Sequence, residues 1–464
     1  MNSFGRTVAA VIVAAGLFGY IYFVESKKDP KTEESGSGLK REKVFTGLDK
    51  LKVKSITLKK RGGEAVHAEK NADVWTLVSP QEVAADAGEI GTLLDALQNL
   101  ETEEVLDENA ADLSAFGLAE PKVSVSLVAE GAPKPFEFDL GDSVPAGSSI
   151  FARVPGRPRL FTVSSTLENT LSKSAFDLRD RGVVKVKKDA ISAFEVVEAN
   201  KAAYRLIRGA QGEDDWKVAS PVASRAARWS ADSLLGLIES LRMESIATED
   251  AKPSDLAKFG LGGTARRVVL TLDGGATVTL EVGKKTDDGK YYAREGSSKL
   301  VAVIPTAVVD DLDKGLKNLR ATRLLDVATY EVTSLDVAAG GTVKTFTKTT
   351  TKGKDGIEQV SWKSTAPSKD TPEQAVTSAM LSIGGAEVAE FIDTPKALAT
   401  YGLDAPALRV TLHFDGGKKE DWFELSVKGD EAFARRRDDA AVLKLDKART
   451  EGLIQSFTGL GSQP

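Results

Sequence analysis

Val74-Trp75-Thr76-Leu77-Val78-Ser79-Pro80 recurs as Asp215-Trp216-Lys217-Val218-Ala219-Ser220-Pro221 and again as Ser361-Trp362-Lys363-Ser364-Thr365-Ala366-Pro367. Each stretch reads as a strand that carries a tryptophan and is ended by a proline, which cannot donate to a ladder. Downstream of each comes an aromatic-Gly-Leu triplet: Phe116-Gly117-Leu118, Phe259-Gly260-Leu261 and Tyr401-Gly402-Leu403. An aromatic-Ala-Arg triplet follows in turn: Phe151-Ala152-Arg153, Tyr292-Ala293-Arg294 and Phe433-Ala434-Arg435. Three markers in one order at nearly even spacing describe one domain written three times, and a repeat of this kind fixes the architecture before any local reading.

The markers predict domains over 44–182, 183–325 and 326–464. Each unit reads as α+β, a mainly antiparallel sheet with two principal helices. Val123, Val125 and Leu127 alternate as a strand does, and so do Val410, Leu412 and Phe414. Ile90, Leu93, Leu94, Leu97 and Leu100 form one helical stripe, with Asp86 and Glu89 as a capping box. Leu234, Leu235, Ile238 and Leu241 make the second stripe behind Ser230. Val376, Met380 and Ile383 make the third, with Thr371 as cap, Pro372 at the first helical position and Gln374 completing a box. Gly117, Gly260 and Gly402 each follow a short helical turn and suit a left-handed cap. Closing helices are expected over Leu167 to Leu178 and Val308 to Leu319, with a shortened version over Ala448 to Phe457. The third unit departs at Lys428-Gly429, read against Leu140-Gly141 and Val282-Gly283.

Ahead of the repeats, Val8 to Val24 is an unbroken apolar run between Arg6 and Glu25. At about 1.5 Å rise per residue the eighteen uncharged residues between Arg6 and Glu25 reach about 27 Å, against a hydrocarbon core of about 30 Å. It ends in bulky Tyr20-Ile21-Tyr22-Phe23-Val24 rather than a small-residue cleavage site. Residues 1–25 therefore read as an uncleaved transmembrane signal anchor, and 26–43, rich in Lys, Glu, Ser and Gly, as a flexible tether. Lysines flank one side of the run and Arg6 the other, so the positive-inside count does not set the orientation.

The chain has 464 residues, 41 % hydrophobic and 28 % charged, with a net charge of −6. That is ordinary globular composition and carries no basic stripe for nucleic acid. The absence of cysteine excludes disulfides, thiolate nucleophiles and Cys-based metal sites. Phosphate-loop, zinc-protease and nucleophile-elbow patterns are all missing. Two histidines, His67 and His413, sit at non-equivalent places. The carboxylate pairs Asp287-Asp288 and Asp438-Asp439 read as solvated turns. Arg153, Arg294 and Arg435 are the best polar candidates, either as anion or partner contacts or as ion pairs with an acid on a neighbouring strand. Arg179, Asp180 and Arg181 read as a junction between units, and Trp75, Trp216 and Trp362 as core. No catalytic, cofactor-binding or metal-ligating residue is expected.

These markers resemble the bacterial envelope family known as the domain-of-unknown-function 4340 family, over nearly all residues from 44 to 460 as three tandem copies. The resemblance implies a single-anchor protein of the bacterial inner membrane, with its repeats in the periplasm and ABC transporter parts similar to those of gliding motility as associates. The expectation is a non-enzymatic interaction or accessory subunit of an ABC-type transporter or envelope complex. The alternative is a module that binds an envelope glycan or lipid.

Overall fold

A computed structural model describes residues 41–461 apart from 111, 146, 210–215, 264, 326–327, 353–357 and 366–367. The expected anchor, nearly all of the tether, and Pro367 lie outside the described residues. Among the described residues no helix is long and apolar enough to cross a membrane. The chain divides into two compact units, the first ending at Asp180 and the second beginning at Arg181.

The first unit holds one nine-stranded sheet. Its strands are β1 (Val53–Lys60), β2 (Ala65–Asn71), β3 (Val74–Ser79), β4 (Val83–Ala84), β5 (Glu104–Asp107), β6 (Val123–Ala129), β7 (Phe136–Ser143), β8 (Ser149–Arg153) and β9 (Leu160–Ser164). They lie in the order β4-β3-β2-β1-β6-β7-β8-β9-β5. Every paired neighbour is antiparallel. The second unit holds two further nine-stranded sheets, and their strands, counted along the chain, take the same order. Isolated bridges Lys43↔Glu101, Gly182↔Arg242 and Arg323↔Glu387 precede the first strand of each sheet in the same way.

The alternation of each strand decides which face is dry. In β1 and β6, Ile56, Leu58, Val125 and Leu127 are buried, while Thr57, Ser124 and Ser126 face the other side. Helix α1 (Ala87–Gln98) lays Ile90, Leu93, Leu94 and Leu97 into the same core as Trp75 and Phe138. Each such side chain contributes about 1.5–3 kcal/mol by leaving water. Asp86 caps α1 by accepting from the amides of Gly88 and Glu89, and Glu89 pairs with Lys173 at 3.0 Å.

Four local expectations need correction. Ser230 lies inside the helix Arg228–Glu239, whose cap position is Ala227, because the chain enters that helix through the Ala227 amide bonded to Leu319. Thr371 ends a strand and Pro372 takes the cap position of the helix Glu373–Ile383, since Thr371 is held by its ladder partner Trp362. The closing helices break: α2 (Thr166–Leu171) and α3 (Ala175–Leu178) are separated where Ser174 and Asp177 form a new capping box. The second break falls at Gly315 (φ 64), and the third closing helix, Lys447–Thr458, is continuous rather than shortened. Finally, the ladder aligns Ser426, not Gly429, with Gly141 and Gly283, because Glu424↔Arg435 matches Asp139↔Arg153 and Glu281↔Arg294.

Tyr204, in the strand Lys201–Arg208, carries a buried hydroxyl with no hydrogen-bond partner among the described residues. Burial, helped by Glu198 and Asp311 and opposed by Arg266, pushes it up to about 12. The unfolded phenol ionises near pH 10, so this contribution is complete below about pH 10 and is lost as pH rises toward about 12. The difference corresponds to roughly 3 kcal/mol. Tyr204→Phe should remove that alkaline loss and leave neutral stability unchanged or higher. Urea unfolding across the alkaline range checks this, and an unaltered alkaline slope would contradict it.

Candidate functional site

The second and third markers meet on the sheet face opposite the main core. In β8, Ile150 and Ala152 point into that core, which turns Phe151 and Arg153 to the other side. There the ring of Phe116 meets Phe151 edge-to-face at 5.0 Å. Phe259 meets Tyr292 at 5.0 Å, and Tyr401 meets Phe433 at 5.1 Å, in the same geometry. Small apolar clusters gather round the last two, with Leu261 and Val301 in one and Leu403 and Val442 in the other.

Glycine lets the turn approach this closely. Gly117, Gly260 and Gly402 all have φ between 68° and 70°. A Cβ on Gly117 would meet the Asp142 carboxylate, one on Gly402 the Ser426 hydroxyl, and one on Gly260 would lie 2.7 Å from the Lys284 amide nitrogen. Gly141 and Gly283 complete the fit from below, where a Cβ would strike the carbonyls of Phe116 and Phe259.

The repeated arginines sit beside these turns. Arg153 Nε lies 2.9 Å from Asp139 and Arg294 Nε 2.8 Å from Glu281. Arg435 lies 3.5 Å from Glu424, which also accepts from Arg409 at 2.7 Å. Asp139, Glu281 and Glu424 are all buried. Each arginine thus neutralises an acid on the adjacent strand. Arg409 and Arg435 also flank the ring of Trp422, at 4.6 and 5.8 Å. Trp75, Trp216 and Trp362 are buried, at 7 %, 2 % and 1 % exposure. Trp216 donates its indole N–H to Asp232 at 3.2 Å.

His67 contacts Thr57 Oγ1 at 2.9 Å and Glu69 at 3.1 Å, whereas His413 contacts Asp336 at 3.0 Å. Both alternate with buried neighbours along their strands and so face away from the main core. Asp288 is exposed, and the Thr286 hydroxyl holds its carboxyl below the usual range. Arg179 is buried and bridges Ala85, Asp180 donates its amide to Ala84, and the Arg181 carbonyl accepts from Met243. Among the described residues no group of three His, Cys, Asp or Glu is placed to hold a metal ion.

Asp438 is exposed in its turn, as expected, and lies 3.7 Å from Lys217, but Asp439 is not solvated. Asp439 has no exposed side-chain surface, and Arg436, equally buried, donates to it at 2.9 Å. Arg225 gives Asp439 its backbone N–H at 2.7 Å and grips Asp421 with both terminal nitrogens, Nη1 at 2.7 Å. Burial pulls the Arg225 guanidinium down, but Asp421, Asp439 and Asp438 outweigh it and hold it above its ordinary value. Burial pushes the Asp439 carboxyl up, against the pull of Arg436 and Arg225. No spacing rule links Arg225 to Asp421 across 196 residues, so sequence reading missed this cluster.

It also missed Trp229, which is 82 % exposed. Here the signal was present. Trp229 lies off the buried stripe of Ala231, Leu234, Leu235 and Ile238 on its own helix.

Gly260→Ala should cost roughly 1–3 kcal/mol from the left-handed backbone and the clash with Lys284. Gly236→Ala, in a helix with nothing within 4 Å of the new methyl, should add about 0.5–1 kcal/mol. Denaturant midpoints for the pair check the contrast, and equal effects would contradict it.

No curated protein matches the chain. Among solved structures, the chain shows a likeness to the DNA polymerase sliding clamp from Pseudomonas aeruginosa with ligand, at 9 % identity over 87 % of this chain and 93 % of that one, with a TM-score of 0.15. A DnaN sliding clamp from Pseudomonas aeruginosa bound to griselimycin stands at 10 % identity, the same coverage and the same TM-score. Likenesses this weak carry no argument. The model of a family described as a domain of unknown function (DUF4340) matches residues 75–231 and again 216–406, spans that each begin at a repeated tryptophan. The chain is a member of the DUF4340 family.

Proposed function

We propose that the chain is a membrane-tethered, non-enzymatic interaction protein of the bacterial cell envelope. In this reading Val8 to Val24 holds it in the inner membrane, the three sheets stand in the periplasm, and it serves an ABC-type transporter or related envelope complex as an accessory subunit. The observation that carries the reading is where the repeated polar residues go. Arg153, Arg294 and Arg435 are engaged with Asp139, Glu281 and Glu424 inside their own sheets, so what recurs serves the scaffold rather than a reaction. Shared strand order then repeats one scaffold three times along the chain. The apolar run and the Lys, Glu, Ser and Gly stretch behind it support the tether. The transporter association rests on the family resemblance alone.

A glycan or lipid module would use exposed aromatic platforms. The three recurring tryptophans lie in cores instead, which favours a protein partner. Trp229 is the exposed aromatic best suited to anchor such a partner, since tryptophan is enriched where interfaces concentrate their energy.

Cross-linking followed by purification from mild detergent should recover an envelope protein with the chain. Recovery of the chain alone would count against the proposal. Trp229→Ala should leave the unfolding midpoint nearly unchanged, within about 0.5 kcal/mol as for other exposed positions. It should also lower partner recovery, and undiminished recovery would remove Trp229 from the contact.

A further inference from the structure

We infer that the second and third sheets are locked into one body by an ionic strap, with Arg225 as its tongue and Asp421 and Asp439 as its catch. Arg225 belongs to the short edge strand Ser224–Arg225 of the second sheet. Asp421 lies in the strand Lys419–Lys428 of the third, and Asp439 just beyond the strand Glu431–Arg436. Nearly every polar atom of Arg225 is used across this junction: its amide on Asp439, its Nε on the Arg437 carbonyl at 3.0 Å, and its two terminal nitrogens on Asp421. Its carbonyl accepts from Ala321 at 3.0 Å. A planar fork suits this role because it fixes direction as well as charge.

The chain that joins the two sheets, 320–325, is fastened from the other side by Arg436. That guanidinium donates to the carbonyls of Ala321, Arg323 and Leu324, at 2.8 Å for Ala321 and 3.3 Å for Leu324. Arg320, 4 % exposed, adds Ser224 Oγ at 3.0 Å and Asp393 at 2.8 Å, and lies 4.1 Å over the ring of Phe391. Ala440 closes the seam by donating to the Ala223 carbonyl at 2.8 Å.

The strap does not belong to the pattern that the three sheets share. By the ladder register, the places of Asp421, Arg436 and Asp439 are held by Val278, Glu295 and Ser298 in the second sheet, and by Phe136, Val154 and Arg157 in the first. Buried charges are costly unless paired, so the pairing of Arg436 with Asp439, beside that of Arg225 with Asp421, is a specific device that resists bending at this junction.

Hydrogen exchange on the full-length chain tests it. The amides of Ala321, Leu324 and Ala440 report the seam, and those of Val268, Leu270 and Val410 report the sheet centres. Arg225→Gln should speed exchange at the seam by about tenfold or more while the centres stay unchanged, the mark of a local opening. Asp421→Asn should do the same, and the double variant should be no faster than the faster single one. Arg225→Lys, which keeps the charge without the fork, should fall between. Unchanged seam exchange, equal acceleration at the centres, or additive effects in the double variant would each overturn the strap.

Discussion

What the three sheets share depends on how closely one tight turn can approach a strand. A glycine in the left-handed region, with no room for a Cβ, brings an aromatic ring edge-to-face onto a second ring two strands from the sheet centre. The strand that carries the second ring also carries the arginine that pairs with a buried acid on its neighbour. The acid–arginine pair is tolerable in this place because each charge has a partner of opposite sign. The second and third sheets are thereby two-sided, each with a smaller apolar cluster around the aromatic turn on the face opposite its main core. The main core supplies the bulk of the hydrophobic burial, and the outer ring pair ties the turn to the strand that carries the second ring.

The third sheet shows which parts of this arrangement can vary. Serine replaces the glycine at 426 and the arginine–acid contact loosens to 3.5 Å, yet the ring pair stays at 5.1 Å. Arg409 compensates by taking the other oxygen of Glu424. The aromatic contact is therefore the conserved geometry among the three sheets and the ion pair the adjustable one. The second unit adds a feature of another kind, an ionic junction that joins two sheets through residues outside the shared pattern.

The triplication was legible in the amino-acid sequence because each marker occupies a place few other residues can fill. Gly260 has a positive φ and a backbone atom against it, Trp216 a buried slot with a partner for its indole N–H, and Arg294 a buried acid across the ladder. Helix limits were less legible, since Ser230 and Thr371 look like caps locally while ladder and junction contacts set where the helices begin. The strap was illegible for a simpler reason. Asp439, beside Asp438 and a run of arginines, looks like part of any solvated turn until the fold lays the edge of another sheet over it. Function stands between these cases: the repeat arginines could be assigned to the scaffold once their acids were seen, and Trp229 drew notice only through its exposure.

A double-mutant cycle on Phe259 and Tyr292, each changed to leucine, reaches the central claim most directly. The account predicts a coupling of about 0.5–1.5 kcal/mol in urea unfolding, the range of a real edge-to-face pair. Strictly additive losses would mean that the two rings merely fill space, and the turn would not be what holds the sheet's outer face.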